Sequence, residues 1–408
     1  MDRAYTRGQP VALAALGAML PTLPHALLLV GPPGVGKTTL ALDVAAALLC
    51  RSSDPGARPC RSCRGCRMVE SGNHPDLHRL RPDGAGAQIG IGHRPGYPPG
   101  VRDLIGELAL LPIEGGRRVA LIEQAHRMND VAQAALLKTL EEPPAGAVIV
   151  LCADEEERLL PTIRSRAARL RLGPVPIRDI ESLLADHGVA DPPTGARLAR
   201  IASGRPGIAL ALARAPEVVA IRGEIARSLI DLLRAPAAER LLMVRDIQVR
   251  ALDAVRTLDR GGSDSGQGRD GGRRRQSPTA EPNASGAGPS EGPLLADAEG
   301  GDAEPDDTQA GLAGRLSAPE RRRAAWFVLD VWRDLTRDLL VAGDQREPGH
   351  DPTLIDELAA AATVVPVDAA GAFLGRLARA GELLELNIAP ELLLDGLVLR
   401  WPVATARA

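Results

Sequence analysis

Aromatic side chains are almost missing from this 408-residue chain, where three Trp, two Tyr and two Phe make up 2% of the residues. A core must then be built mainly from Leu, Ala, Val and Ile, and a single-strand nucleic-acid surface made of stacked rings is disfavoured. Lysine is rarer still, with only Lys37 and Lys138 against 47 Arg. That skew is the mark of GC-rich coding, so the two positions that kept lysine point to chemistry that resisted the drift. No run of about 18 apolar residues suggests a membrane span. Val11–Leu20 is apolar but has neither a basic flank nor a cleavage site, so it does not read as a signal peptide. The net charge of -3 gives no global basic field, and any DNA contact must come from a local patch.

Cysteine is sparse too, but its placement is informative. Four of the five cysteines crowd into residues 50–66. This is a metal-site pattern in a reducing compartment rather than a disulfide framework, and the expected location is cytoplasmic.

Along the chain, short apolar runs alternate with helical patterns up to about residue 173. His25–Val30, Arg118–Ile122 and Ala147–Leu151 are expected strands, and Val131–Glu141 is a helix stopped by Pro143 and Pro144. Strands alternating with helices imply a doubly wound parallel sheet. Residues 174–212 read as a small helical domain with helices at Asp179–His187 and Gly195–Ile201. Residues 213–260 form one or two further helices. Residues 261–317 contain no Val, Ile, Met, Cys, Phe, Tyr or Trp, so they cannot offset their ordering entropy and read as a disordered linker. Amphipathic helices at Arg322–Leu340, Ala369–Leu384 and Pro390–Leu399 complete a helical C-terminal domain over 318–408.

Gly31–Thr39 reads GPPGVGKTT and fits G-x-x-x-x-G-K-[ST] between an expected strand and an expected helix. Backbone N–H groups of such a loop wrap phosphates, and the helix N-terminus adds a positive dipole. The residues expected to bind nucleotide are Gly31, Gly34, Val35, Gly36, Lys37, Thr38 and Thr39, with Lys37 on the outer phosphates and Thr38 on Mg²⁺. The motif speaks for binding of ATP or ADP and is silent on hydrolysis.

Cys50, Cys60, Cys63 and Cys66 follow C-x9-C-x2-C-x2-C. Four sulfurs with no open position mean structural Zn²⁺. His74 and His78 could replace a sulfur but are not needed. Cys152 reads as a small core residue at a strand end.

Together these motifs resemble the AAA+ clamp-loader subunits of bacterial DNA polymerase III. Those subunits carry a four-cysteine zinc module after the P-loop helix, here about residues 50–78, followed by His74-Pro75-Asp76-Leu77. AQAALLKTLEEPP at 132–144 holds the second lysine, and LLPTIRSR at 159–166 is similar to the family's Ser-Arg-Cys motif. Trp332–Leu340 and LNIAPELLLDGLVL at 386–399 resemble its collar helices. The resemblance implies an α/β P-loop AAA+ core over 1–173, a helical lid over 174–212 and an all-α collar over 213–260 and 318–408. It also implies a hetero-pentamer with gamma/tau and delta subunits that opens the sliding clamp and places it on primed DNA.

Within the family, the residues point to the delta-prime stator rather than a gamma/tau motor. A motor needs an Asp for Mg²⁺ and then a catalytic Glu. Here Glu123 stands at the metal position and Gln124 at the base position, and an amide cannot take a proton. LCAD at 151–154 lacks the Thr or Asn expected near the gamma-phosphate, and Gly207 stands where motors have an arginine, with Arg205 two residues earlier. The expectation is nucleotide binding with little or no hydrolysis. Arg166 then serves as a catalytic arginine finger in trans, and Ala167 takes the place of the family's Cys. The alternatives are a motor ATPase of the same loader and a stand-alone zinc-containing nucleic-acid-binding protein.

Overall fold

The computed structural model describes residues 1, 3–82, 88–92, 98–114, 116–264, 317–343, 351–386 and 388–403. Its N-terminal half is a five-stranded, all-parallel sheet made of β1 (Ala26–Val30), β2 (Leu77–Leu80), β3 (Arg118–Ile122), β4 (Ala147–Ala153) and β5 (Ala168–Arg171). The spatial order is β2-β3-β4-β1-β5, so β1 lies between β4 and β5. Every residue of β1, β3 and β4 is buried, which is why these strands read as unbroken apolar runs rather than alternating ones. β2 and β5 are short, interrupted by His78, Arg79, Arg169 and Arg171, and were not legible as strands.

Successive side chains of a strand point to opposite faces, and the two faces carry separate cores. Ala26, Leu28 and Val30 pack with α4 (Val101–Leu108) and α5 (Asp130–Glu141). Leu27 and Leu29 pack with α1 (Pro10–Met19) and α2 (Lys37–Leu48). The remaining helix between α2 and β2 is α3 (Arg64–Glu70), which buries Val69 in the second of these cores. The short α6 (Pro161–Arg166) leads into β5. This doubly wound arrangement is an α/β P-loop core with an inserted cysteine module.

The rest of the chain is helical. α7 (Ile177–Asp186), α8 (Pro192–Ile201) and α9 (Pro206–Arg214) gather around Ile180, Leu184, Leu198 and Leu212. α10 (Pro216–Asp231), α11 (Ala237–Asp264), α12 (Ala318–Gly343), α13 (Ile355–Ala362), α14 (Val367–Glu385) and α15 (Pro390–Leu399) build the largest core. That core concentrates the scarce aromatics. Phe373 meets Trp401 edge-on with ring centroids 4.4 Å apart, and Trp332 lies 6.4 Å from Phe373. α11 continues to Asp264, past the expected linker boundary at 261, while the rest of the expected linker, 265–316, lies outside the described residues. Among the described residues no helix is long and apolar enough to cross a membrane.

Candidate nucleotide cleft and cysteine module

The phosphate loop begins where β1 ends. A Cβ on Gly31 would sit 2.3 Å from the carbonyl oxygen of Leu172, so only glycine lets the loop pass the end of β5. Gly34 and Gly36 hold φ of +81° and +100°, the left-handed region that other residues enter only with strain. α2 starts at Lys37 directly after this turn, and its first amides face the loop without intrahelical partners. The Lys37 ammonium is buried. It donates to the carbonyls of Gly31 at 2.6 Å and Pro32 at 2.7 Å, and pairs with Asp154 Oδ1 at 2.6 Å. Asp154 also sits beside His126. Its backbone N–H donates to His126 Nδ1 at 3.2 Å, which leaves the Nε2 proton toward its carboxylate at 3.7 Å. Burial pushes the His126 pKa down to about 4, against the pull of Asp154.

Around the loop lies a cleft of about 620 Å³. Its floor is Gly34, Val35, Gly36, Lys37, Thr38 and Thr39, with Cys152 and Asp154 at the end of β4. Cys152 is a core residue, as expected, and burial raises its thiol pKa to about 12. One wall is the N-terminal arm Tyr5, Thr6 and Arg7, and the other is the helical lid through Leu183, His187, Pro206 and Gly207. Gly207 N donates to Gly34 O at 3.3 Å, which joins the lid to the phosphate loop.

The residues after β3 divide. Gln124 lines the cleft, held in a left-handed turn at φ +52°. The Glu123 carboxylate is taken by Arg79, whose Nε and Nη2 donate to one of its oxygens at 3.0 and 2.6 Å, and it does not line the cleft. Gly31 stays below the cleft, as the carbonyl partner of Lys37. Arg205 points away from the cleft. Its guanidinium donates to Asp330 at 2.9 and 3.2 Å and lies 3.6 Å from Asp334, both on α12, where Arg222 of α10 also pairs with Asp334. Burial would raise the Asp330 pKa, but Arg205 and Arg222 outweigh it and hold it below the ordinary carboxylate range. The arginine nearest the motor position is thus committed to the C-terminal helices.

The four cysteines converge although they come from three local elements. Cys50 follows α2, Cys60 and Cys63 flank a tight turn, and Cys66 lies in the first turn of α3. Their sulfurs all lie within 4.8 Å of one another, and Cys50 and Cys63 are 3.9 Å apart. A tetrahedral Zn²⁺ with bonds of about 2.3 Å sets its sulfurs about 3.8 Å apart, so the donor set fits. His74 and His78 stay outside this group. His74 accepts from Asp76 N at 3.1 Å, and His78 faces Arg118. The hydroxyl of Ser62, with the amides of Ser62 and Cys63, draws the Cys60 thiol down to about 5, toward the thiolate a metal requires. A Cβ on Gly65 would come 2.4 Å from Leu49 O, so glycine is what allows α3 to dock on the end of α2.

Arg166 ends α6 on the surface, away from its own cleft. It pairs with Glu141 at 2.7 Å and donates to Thr162 O at 3.0 Å. Its neighbours Arg169 and Arg171 are bound instead to the buried Glu156.

The phosphate loop at the end of β1, the parallel sheet and the adjoining helices define a P-loop α/β module, a fold whose loop suits phosphates. Residues 13–176 match the family described as "DNA polymerase III, delta subunit". DNA polymerase III subunit delta' of Pseudomonas aeruginosa is 43% identical over 146 residues, covering 36% of this chain and 42% of that one. The Bacillus subtilis subunit delta' is 34% identical over 203 residues, covering 50% and 58%. DNA polymerase III subunit tau of Escherichia coli is 33% identical over 212 residues, covering 50% and 31%. The N-terminal half of the chain is similar to DNA polymerase III delta' subunits. The chain spans about half the length of the delta' relatives it matches.

Two features escaped the sequence reading. Asp154 was visible only as a missing Thr or Asn, not as the partner of Lys37. The arm at residues 5–7 carried no motif, although Tyr5 is one of only two tyrosines.

Proposed function

We propose that this protein is the delta-prime subunit of a bacterial clamp loader, a cytoplasmic replication component that holds nucleotide without turning it over. The division into core (1–173), lid (174–212) and collar (213–260 with 318–408) belongs to this reading. So does assembly through the collar with gamma/tau and delta subunits into a hetero-pentamer that loads the sliding clamp on primed DNA.

The observation that carries the reading is the asymmetry of the cleft. It keeps a complete phosphate loop yet offers Gln124 where a base is needed, while Glu123 is bound to Arg79. Amides of residues 34–39 and Lys37 suit the phosphates of ATP or ADP, and the Thr38 hydroxyl suits Mg²⁺. Bound nucleotide would supply the phosphate charge that draws Lys37 off its loop carbonyls. Gln124 can orient a water but cannot deprotonate it. The four cysteines suit a structural zinc that ties α3 to the end of α2.

Arg166 supports the second half of the proposal. It stands at a surface helix end, held only by Glu141 and local acceptors, free to leave for a neighbour's nucleotide. An arginine supplied in trans to a transferring phosphoryl can be worth several orders of magnitude in rate. In a loader reconstituted with gamma/tau and delta, Arg166→Ala is expected to lower DNA-stimulated ATPase at least tenfold while assembly on gel filtration is kept. An unchanged rate in the assembled complex refutes the finger.

A further inference from the structure

The cysteine module does more than close a metal site, because two of its side chains grip the arm that walls the nucleotide cleft. The arm is the irregular stretch Arg3–Arg7, with a turn at Arg3 and a bend at Tyr5, and Tyr5, Thr6 and Arg7 form one side of the cleft. It runs across α2 at Asp43, a buried carboxylate on the helix that begins at Lys37. One oxygen of Asp43 accepts from Tyr5 N at 3.0 Å, and the other accepts from Thr6 N at 2.9 Å and Thr6 Oγ1 at 2.7 Å. The positive partner of that carboxylate is Arg61, which lies inside the knuckle between Cys60 and Cys63.

Arg61 is placed by the knuckle itself. Its φ of +61° is a left-handed turn in a residue that is not glycine, which turns its side chain back over the arm. From there it makes four contacts, one of them an ion pair of Nη1 with Glu70 of α3 at 3.6 Å. Nη2 pairs with Asp43, Nε donates to Arg3 O at 2.9 Å, and the guanidinium covers the Tyr5 ring 4.0 Å from its centroid. α3, which carries Cys66, also grips the arm directly, since the Tyr5 hydroxyl donates to Glu70 at 2.9 Å. Arg3 returns a hydrogen bond to Cys60 O at 3.0 Å. Beyond the cleft the arm is fixed again, where Gln9 Nε2 donates to Gly173 O at 2.6 Å. The arm pairs with no strand of the sheet, and its buried apolar side chain is the small Ala4. Without Arg61, Asp43 would be a buried carboxylate holding the arm with no cation beside it, an unfavourable state.

We propose that Arg61 is a positioning residue for the nucleotide site: the cysteine knuckle sets Arg61, Arg61 with Asp43 sets the arm, and the arm sets one wall of the cleft. Nucleotide affinity then depends on the state of the knuckle. By linkage, bound nucleotide makes the knuckle hold its metal more tightly by the same factor. The inference rests on the reading of the cleft as a nucleotide site.

The test uses the full-length protein, purified with zinc, and titrates a fluorescent methylanthraniloyl-ADP with Mg²⁺. Arg61→Gly relieves the left-handed turn while removing all four side-chain contacts. It is expected to weaken binding about tenfold, within the ordinary range of couplings between sites, with one zinc per chain retained. Arg61→Lys, which keeps a cation for Asp43, is expected to recover part of the loss. The paired variant Arg61→Gly with Tyr5→Ala is expected to lose little beyond Tyr5→Ala alone, because both act through one arm. Wild-type affinity in Arg61→Gly, or fully additive losses in the pair, overturns the inference while leaving the nucleotide site intact. Failure of the wild-type protein to bind overturns both. Should Arg61→Gly lose its zinc, Tyr5→Phe leaves the knuckle intact and cuts only the Glu70 contact. It is then expected to weaken binding about twofold, the scale of one exposed hydrogen bond, and an unchanged affinity overturns the inference.

Discussion

Replacing Asp154 with asparagine should tighten nucleotide binding. The ammonium of Lys37 is saturated by two loop carbonyls and by Asp154 at 2.6 Å. Phosphates must draw the lysine from that carboxylate, so the pair competes with the ligand. Its strength lies between two limits. An exposed pair is worth about 0–1 kcal/mol, and two charges about 4 Å apart at an effective dielectric near 20 attract by about 4 kcal/mol before desolvation is counted. The Lys37 side chain is 8% exposed and that of Asp154 24%, so an intermediate value of about 1–2 kcal/mol applies. Asp154→Asn keeps the shape and removes the competing charge, and it should lower the ADP and ATP dissociation constants by about 5- to 30-fold. Isothermal titration at fixed ionic strength and fixed Mg²⁺ measures this directly. Weaker binding, with a steeper Mg²⁺ dependence, would refute the reasoning, because Asp154 would then be serving the metal and not restraining the lysine.

Two further predictions concern the surroundings of the cleft. His126 is held neutral, with its pKa pushed from 6.5 to about 4, so between those values the unfolded chain binds a proton that the folded chain does not. Stability therefore rises with pH through this window and is lost on acidification from pH 6.5 toward 4, by on the order of 2–3 kcal/mol from this group. His126→Gln should flatten that part of a melting-temperature profile, and an unchanged acid slope contradicts the assignment. Arg205→Ala strips a cation from the half-buried Asp330 and the buried Asp334, although Arg222 and Arg333 remain beside them. A loss of about 2 kcal/mol follows, visible as a fall of a few degrees in the melting temperature. The double variant with Asp330→Asn should recover part of it, and additive losses would exclude the network.

The features legible in sequence were those with local signatures. β1, β3 and β4 are buried on both faces, so continuous runs such as ALLLV and AVIVL announced them. The glycines of the phosphate loop and the cysteine spacing are set by backbone geometry over a few residues, and the structure brings both sets together. Short edge strands gave no such signal, because His78, Arg79 and Arg169 face neighbours brought in from elsewhere. The same holds for the long-range partners. Arg79 with Glu123, Lys37 with Asp154, and Asp43 with Thr6 and Arg61 lie between 18 and 117 residues apart, and no period or motif connects them. The expectation for Glu123 shows the limit most plainly. Its position after β3 was read correctly, but its side chain answers to Arg79 on the neighbouring strand.

The central claim is a site that holds nucleotide and does not consume it. It is tested most directly by measuring ATP binding and turnover on the same purified protein, alone and with primed DNA, beside Lys37→Ala. The account predicts binding that is lost in Lys37→Ala, with negligible phosphate release from either protein. DNA-stimulated turnover that vanishes in Lys37→Ala would contradict it and make this chain a motor.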